Sequence, residues 1–301
     1  MRAFFDNIAH LLLVMVLSLL GLLPLAWAQA LGAFLGECAY RVGRKRVHAA
    51  RCNIAVCYPD MPAAEREAMV KASFREAGKW FTEFGVAWLW SSERVNALIS
   101  VRNQHLFDEA LAEGRGVVLI VPHLGNWEVM NTWLAARVPL AALYKPIRSS
   151  WFECFVKWRR SRQNAVMAPA SSQGVRQVMK RLKEGSVTAV LADHLPSNKA
   201  GVFAPFFGRM ALTGKLTASL ARVNHSVVLS AVLLRKPNGQ GFELVFQSVE
   251  GAASSDDQQA ARALNQAVEQ CIQLAPEQHQ WMYKRFARRL PSTPDAYTKV
   301  P

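Results

Sequence analysis

Residues 116–128 read GVVLIVPHLGNWE, and the reading of this stretch decides the fold. Val117 to Val121 are all β-branched or aliphatic, and the run stops at Pro122. A short apolar run of this composition, ended by a breaker, reads as a buried strand. The chain then delivers His123, Gly125-Asn126 and Glu128. In an open α/β sheet, functional groups collect beyond the carboxyl ends of strands. Gly125-Asn126 is expected to open a helix, with Glu128 in its first turn. A histidine just before a helix and a carboxylate one turn inside can meet by hydrogen bond. Glu128 would then fix the imidazole tautomer, and His123 would act as general base toward a hydroxyl supplied by the substrate. No other of the seven histidines has an acidic residue five positions on. A purely structural His–Glu pair or a helix-capping contact is the plain alternative.

The pattern extends along the chain. Apolar runs at Val117–Val121, Leu140–Tyr144, Ala165–Ala168, Val187–Ala192, Val227–Leu234 and Phe242–Phe246 alternate with helical stretches near 104–113, 126–136, 151–162, 172–184, 213–223 and 256–274. Such alternation predicts an α/β fold with a mostly parallel central sheet wrapped by helices. Lys236-Pro237-Asn238-Gly239 reads as a hairpin turn, so one edge of the sheet is expected to be antiparallel. Met61–Trp90 reads as helix, with Phe74, Phe81, Phe84 and Trp88 forming an aromatic stripe that suits core packing or acyl-chain contact.

Upstream, Leu11 to Ala28 carries no charge over eighteen residues. That length suits a bilayer core of roughly 30 Å, with Pro24 as a tolerated kink. Ala26-Trp27-Ala28 resembles a signal cleavage site. The cluster Arg41, Arg44, Lys45, Arg46 and Arg51 argues instead for a retained transmembrane anchor with the body of the chain cytoplasmic. The expected organisation is an anchor over 1–36, a basic juxtamembrane and helical region over 37–100, an α/β catalytic domain over 101–290 and a tail over 291–301. The net charge of +14 points to an acidic partner. With 51% hydrophobic residues and 9 Trp, an anionic membrane surface fits this charge better than nucleic acid. Five scattered cysteines form neither a disulfide framework nor a zinc pattern.

The stretch GRGVVLIVPHLGNWE resembles the first signature block of the lysophospholipid acyltransferase superfamily, with four residues between the histidine and the acid. Its longer H-x-G-N-W-E form is similar to the bacterial lipid A secondary acyltransferases. Further blocks follow in order: Arg51-Cys52-Asn53, Cys57-Tyr58-Pro59, Tyr144-Lys145-Pro146, Arg160 with Arg162, Asp193-His194, Pro205 to Gly208, and PEQHQWMYKRF near the C-terminus. The last block carries Lys284 where the family pattern has a second arginine. The resemblance implies transfer of a laurate- or myristate-class acyl chain from acyl carrier protein to a hydroxyl of a lipid A precursor at the inner membrane. It implies no cofactor and no metal.

Other residues are candidates for substrate binding. Lys145, Arg160 and Arg162 could hold phosphate or polarise a thioester oxygen, or form a solvated basic face. Asn126 lies beside the catalytic pair. Asp193 ends a strand expected to be parallel and adjacent, so it could support the site or cap a helix. Phe207 and Gly208 are placed near an acyl channel, with core packing as the alternative. Arg285, with Trp281 and Phe286, is a candidate acceptor contact. Two other functions stay open: acyl transfer to another lipid, such as lysophosphatidate or ornithine lipid, and a basic lipid-binding protein in which His123 and Glu128 are structural.

Overall fold

The computed structural model describes residues 2–147, 150–161 and 163–298. Helices α1 (Arg2–Gly21), α2 (Leu25–Val42), α3 (Arg44–Cys57), α4 (Ala63–Thr82), α5 (Phe84–Leu89) and α6 (Ser92–Asn96) come first. Strands and helices then alternate: β1 (Ile99–Arg102), α7 (Gln104–Ala112), β2 (Val117–Val121), α8 (Trp127–Ala135), β3 (Leu140–Tyr144), α9 (Ser150–Arg160), β4 (Ala165–Pro169), α10 (Ser172–Lys183) and β5 (Val187–Leu191). The chain closes with β6 (Gly201–Phe206), β7 (Arg209–Gly214), α11 (Leu216–Ala221), β8 (Val227–Arg235), β9 (Phe242–Ser248) and α12 (Asp257–Leu274).

The main sheet has seven strands in the order β1-β9-β8-β2-β5-β3-β4. Its pairings are parallel except β8–β9, which forms the expected hairpin. That hairpin is not the edge of the sheet, because β1 pairs outside β9. β2 is central and buried at every residue. Val117, Leu119 and Val121 face one core, and Val118 and Ile120 the other. A strand alternating between two apolar layers must be apolar throughout, which explains its composition. β6 and β7 form a separate two-stranded antiparallel sheet.

The expected transmembrane anchor is overturned. Among the described residues, no helix is long and apolar enough to cross a membrane. Pro24 ends one helix and starts another instead of kinking a single one. It lacks an amide donor and disfavours helical geometry in the residue before it. Both helices are also held by the body of the protein. Trp90 Nε1 donates to the Gly21 carbonyl (2.7 Å), and Gln29 Nε2 donates to Glu83 (2.8 Å). Glu37 pairs with Arg41, Lys71 and Arg75. Helices α2 and α4 approach backbone to backbone, and a Cβ built at Gly78 would fall 2.0 Å from the Gly32 carbonyl oxygen. The outer face of this layer is apolar. Twelve of the fifteen exposed large apolar side chains among the described residues lie between Ile8 and Val42.

Candidate active site

The register of the central strands builds the site. β2 and β5 run parallel with Val121 opposite Leu191. Two residues beyond each strand end, His123 therefore meets Asp193. The contact is double: His123 Nδ1 lies 2.7 Å from Asp193 Oδ1, and the His123 backbone N–H donates to Oδ2 (3.0 Å). Burial favours a neutral carboxyl, but the charge of His123 and its hydrogen bond outweigh this, with help from His279 and His194. Asp193 therefore titrates well below the usual carboxylate range. An ionised carboxylate only accepts, so Nδ1 carries the ring proton, and a neutral His123 presents its lone pair at Nε2.

The ring is held on both sides. His194 stacks on it at 3.6 Å between centroids, with an interplanar angle of 6°. Trp127 meets it edge-on at 4.9 Å. His194 and His279 are both pushed down to about 4 by burial first, with the charge of His123 adding to the shift and the Asp193 carboxylate opposing it. His123, Asp193 and His194 place ligand-type atoms within 4.8 Å of one another. Because the two imidazoles lie in parallel planes, their in-plane lone pairs do not converge on one ion.

Glu128 does not make the hydrogen bond to His123 that its spacing suggested. It turns away toward α9 and α5. Arg160 donates from Nε to Oε2 (3.1 Å) and from Nη2 to Oε1, and Trp88 Nε1 donates to Oε2 (3.1 Å). Burial disfavours the Arg160 charge, but the Glu128 carboxylate more than offsets this, and the guanidinium holds its proton above the ordinary range. Glu128 and Arg160 both line a cavity of about 280 Å³ whose other walls are largely apolar, among them Val121, Trp127, Met130 and Leu134.

The loop between β2 and α8 is fixed by residues the sequence reading missed. Glu83 is fully buried and accepts from Asn126 Nδ2 (2.7 Å) and Arg235 Nε (2.9 Å). Arg235 Nη2 also donates to the Gly125 carbonyl (3.2 Å). Breaking a buried pair of this kind typically costs ~3–5 kcal/mol. The available signal was a carboxylate set between Phe81 and Phe84 on an otherwise apolar stretch. Gly125 has φ +61°, and a Cβ there would fall 2.0 Å from the Leu233 carbonyl oxygen, so no larger residue fits. Asn126 caps α8, accepting from Val129 N–H (3.0 Å), so both ends of its amide are engaged inside the protein.

The remaining candidates are not drawn to the cavity. Lys145 is exposed after β3 and is not among the residues lining it. Arg162 lies outside the described residues. Phe207 and Gly208 form the β6–β7 turn, both at positive φ, with the Phe207 ring against Tyr58 and Trp281. Arg285 is buried and donates to the Leu212 carbonyl, Thr213 Oγ1 and Asn265 Oδ1. It ties the small sheet to α12.

A histidine locked by a buried carboxylate lies near an apolar cavity with a guanidinium at its wall, an arrangement that suits group transfer to or from an apolar chain. Residues 5–288 match the family described as bacterial lipid A biosynthesis acyltransferase. The chain is 30% identical over 284 residues to the lipid A biosynthesis lauroyltransferase of Escherichia coli (strain K12), covering 94% of this chain and 92% of that protein. It is likewise 30% identical to the palmitoleoyltransferase of the same organism, covering 86% and 84%, and 22% identical to the myristoyltransferase, covering 93% and 87%. The chain belongs to the bacterial lipid A biosynthesis acyltransferase family, and it is an acyltransferase.

Proposed function

We propose that the protein moves a fatty acyl chain from the thioester of acyl carrier protein to a hydroxyl of a lipid A precursor. The observation that carries the mechanism is the His123–Asp193 contact of 2.7 Å, with the His123 ring against Trp127, which lines the apolar cavity. The acceptor hydroxyl gives its proton to His123 Nε2 as its oxygen bonds to the thioester carbonyl carbon. The C–S bond then breaks, and the imidazolium returns the proton to the departing thiolate. Asp193 stabilises the imidazolium while it exists. Arg160, aimed by Glu128, faces the negative charge that develops on the carbonyl oxygen. The amides of Leu124, Gly125 and Asn126 already donate to backbone carbonyls, so the guanidinium is the stronger candidate for this task. The acyl chain occupies the cavity beneath.

The net charge of +14 favours both an acidic carrier protein and an anionic membrane. The exposed apolar face of α1 and α2 supports attachment within the interface of a cytoplasm-facing membrane leaflet, with no span. Purified protein, incubated with acyl carrier protein thioester and a lipid A precursor, should raise the mass of the lipid by one acyl group. Release of free fatty acid with no heavier lipid would refute the transfer.

A further inference from the structure

A second cavity lies beyond the rings stacked on His123. It is an open groove of about 990 Å³ between the C-terminal half of α2, the start of α3, α4 and the loop at Gln280–Tyr283. We propose that this groove is the acceptor site, and that it takes an anionic, phosphorylated glycolipid directly from the membrane. The inference rests on the acyl-transfer reading and gives the acceptor half of that site a location.

Three observations converge. First, the wall of the groove is linked to His123. Tyr283 lines it and stacks on His194 at 3.8 Å, and His194 stacks on His123. Gln280, also in the wall, donates its backbone N–H to the His123 carbonyl (3.0 Å). The Trp80–Trp127 pair, 4.8 Å between centroids, separates the two cavities, because Trp80 lines the groove and Trp127 the smaller cavity. A histidine linked to the walls of two cavities suits a reaction that joins two lipidic substrates.

Second, the groove has the charge for phosphate. Arg44, Lys45 and Arg46 line it and are exposed, and among the described residues no carboxylate pairs with them. Their neighbours differ: Arg41 pairs with Glu37, and Arg51 with Glu67. The three cations also sit in the first turn of α3, which holds no acidic residue, so the helix dipole adds to their field. Third, the wall is apolar and continuous with the exposed face of the N-terminal helices. Leu35, Val42 and Phe81 line the groove, and each is exposed. An acylated ligand lying in a membrane could enter without crossing water.

The test is steady-state transfer by the full-length chain from acyl carrier protein thioester to a bis-phosphorylated, acylated disaccharide in mixed micelles. The variant Arg44→Glu/Lys45→Glu/Arg46→Glu should raise the acceptor KM at least about tenfold. The donor KM should not change. With a dephosphorylated acceptor, variant and parent should become equal. Ala77→Trp, which fills the apolar wall, should raise the acceptor KM whether or not phosphate is present. A rise in donor KM in place of acceptor KM would assign the cations to the carrier protein and overturn the proposal, as would an unchanged acceptor KM. Binding of micelle-held phosphoglycolipid, followed by fluorescence without turnover, separates the two readings. If the parent binds but transfers nothing, the acyl-transfer reading fails. If the parent and the triple variant bind equally, the groove assignment fails.

Discussion

Two buried carboxylates stand beside the end of β2, and they have opposite assignments. Glu128 is five residues from His123 in the chain, yet its partners are Arg160 and Trp88. Asp193 is seventy residues away and holds His123 at two points, the ring Nδ1 and the backbone N–H. The difference comes from geometry. Glu128 lies in the first turn of α8 and looks toward the helices flanking it, whereas parallel strand register sets positions 123 and 193 side by side. The comparison separates two tasks. In the proposed mechanism one carboxylate controls the proton, and the other holds the positive charge at the cavity wall.

The largest effect should come from the residue that both tasks serve. His123→Ala should lower kcat on the order of 10²–10⁴-fold or more while thermal unfolding stays cooperative, because the general base is gone. Near-normal turnover in this variant would remove the histidine from the chemistry and leave the comparison without meaning. Next comes Glu128→Gln, which keeps a hydrogen-bonding group near Trp88 but frees Arg160 from its ion pair. It should lower kcat roughly 10- to 100-fold and also raise the donor KM, since the guanidinium is a feature of the cavity wall. A pure kcat defect as deep as that of His123→Ala would instead place Glu128 with the base.

The smallest effect concerns stability in acid. His194 and His279 sit at about 4 in the folded protein against an ordinary 6.5, so between these values the unfolded chain binds more protons than the folded one. Stability should therefore fall as pH drops from about 6.5 toward 4, and the lowered Asp193 extends the loss below its ordinary 3.8. Calorimetry should show Tm decreasing across this range. His194→Phe, which keeps a stacking ring, should make the slope shallower. Parallel slopes for variant and parent would exclude His194 as a source of the effect.

Much of this was legible in the sequence. The six apolar runs read as strands all form strands of the main sheet, because strands between two apolar layers advertise themselves. β1 did not, since it is a four-residue strand with alternating exposure. The pair β6–β7 was hidden by Pro205 and by the turn at Phe207-Gly208, and β7 runs to Gly214, where a helix was expected from 213. The N-terminal apolar segment misled for a different reason. Hydropathy alone does not distinguish lipid from a protein surface, and Gln29 and Glu37, which tie α2 to α4 and its C-terminal neighbour Glu83, lie just past the apolar stretch. At the site, His123 could be picked out from its strand-end position. Its hydrogen-bond partner was expected to be Glu128 and is Asp193, because the pairing depends on strand order and register, which one sequence does not print. Glu83 and Arg235 escaped because their pairing spans 152 positions.

If Asp193, and not Glu128, sets the protonation of the base, kcat of Asp193→Asn will report it. An asparagine amide can donate to Nδ1, which would turn the ring to the tautomer with its proton on Nε2, unable to accept one from the substrate. The expected result is a fall in kcat on the order of 10²–10⁴-fold with both KM values nearly unchanged. An Asp193→Asn enzyme that turns over at the parent rate, in a preparation where Glu128→Gln does not, would contradict it.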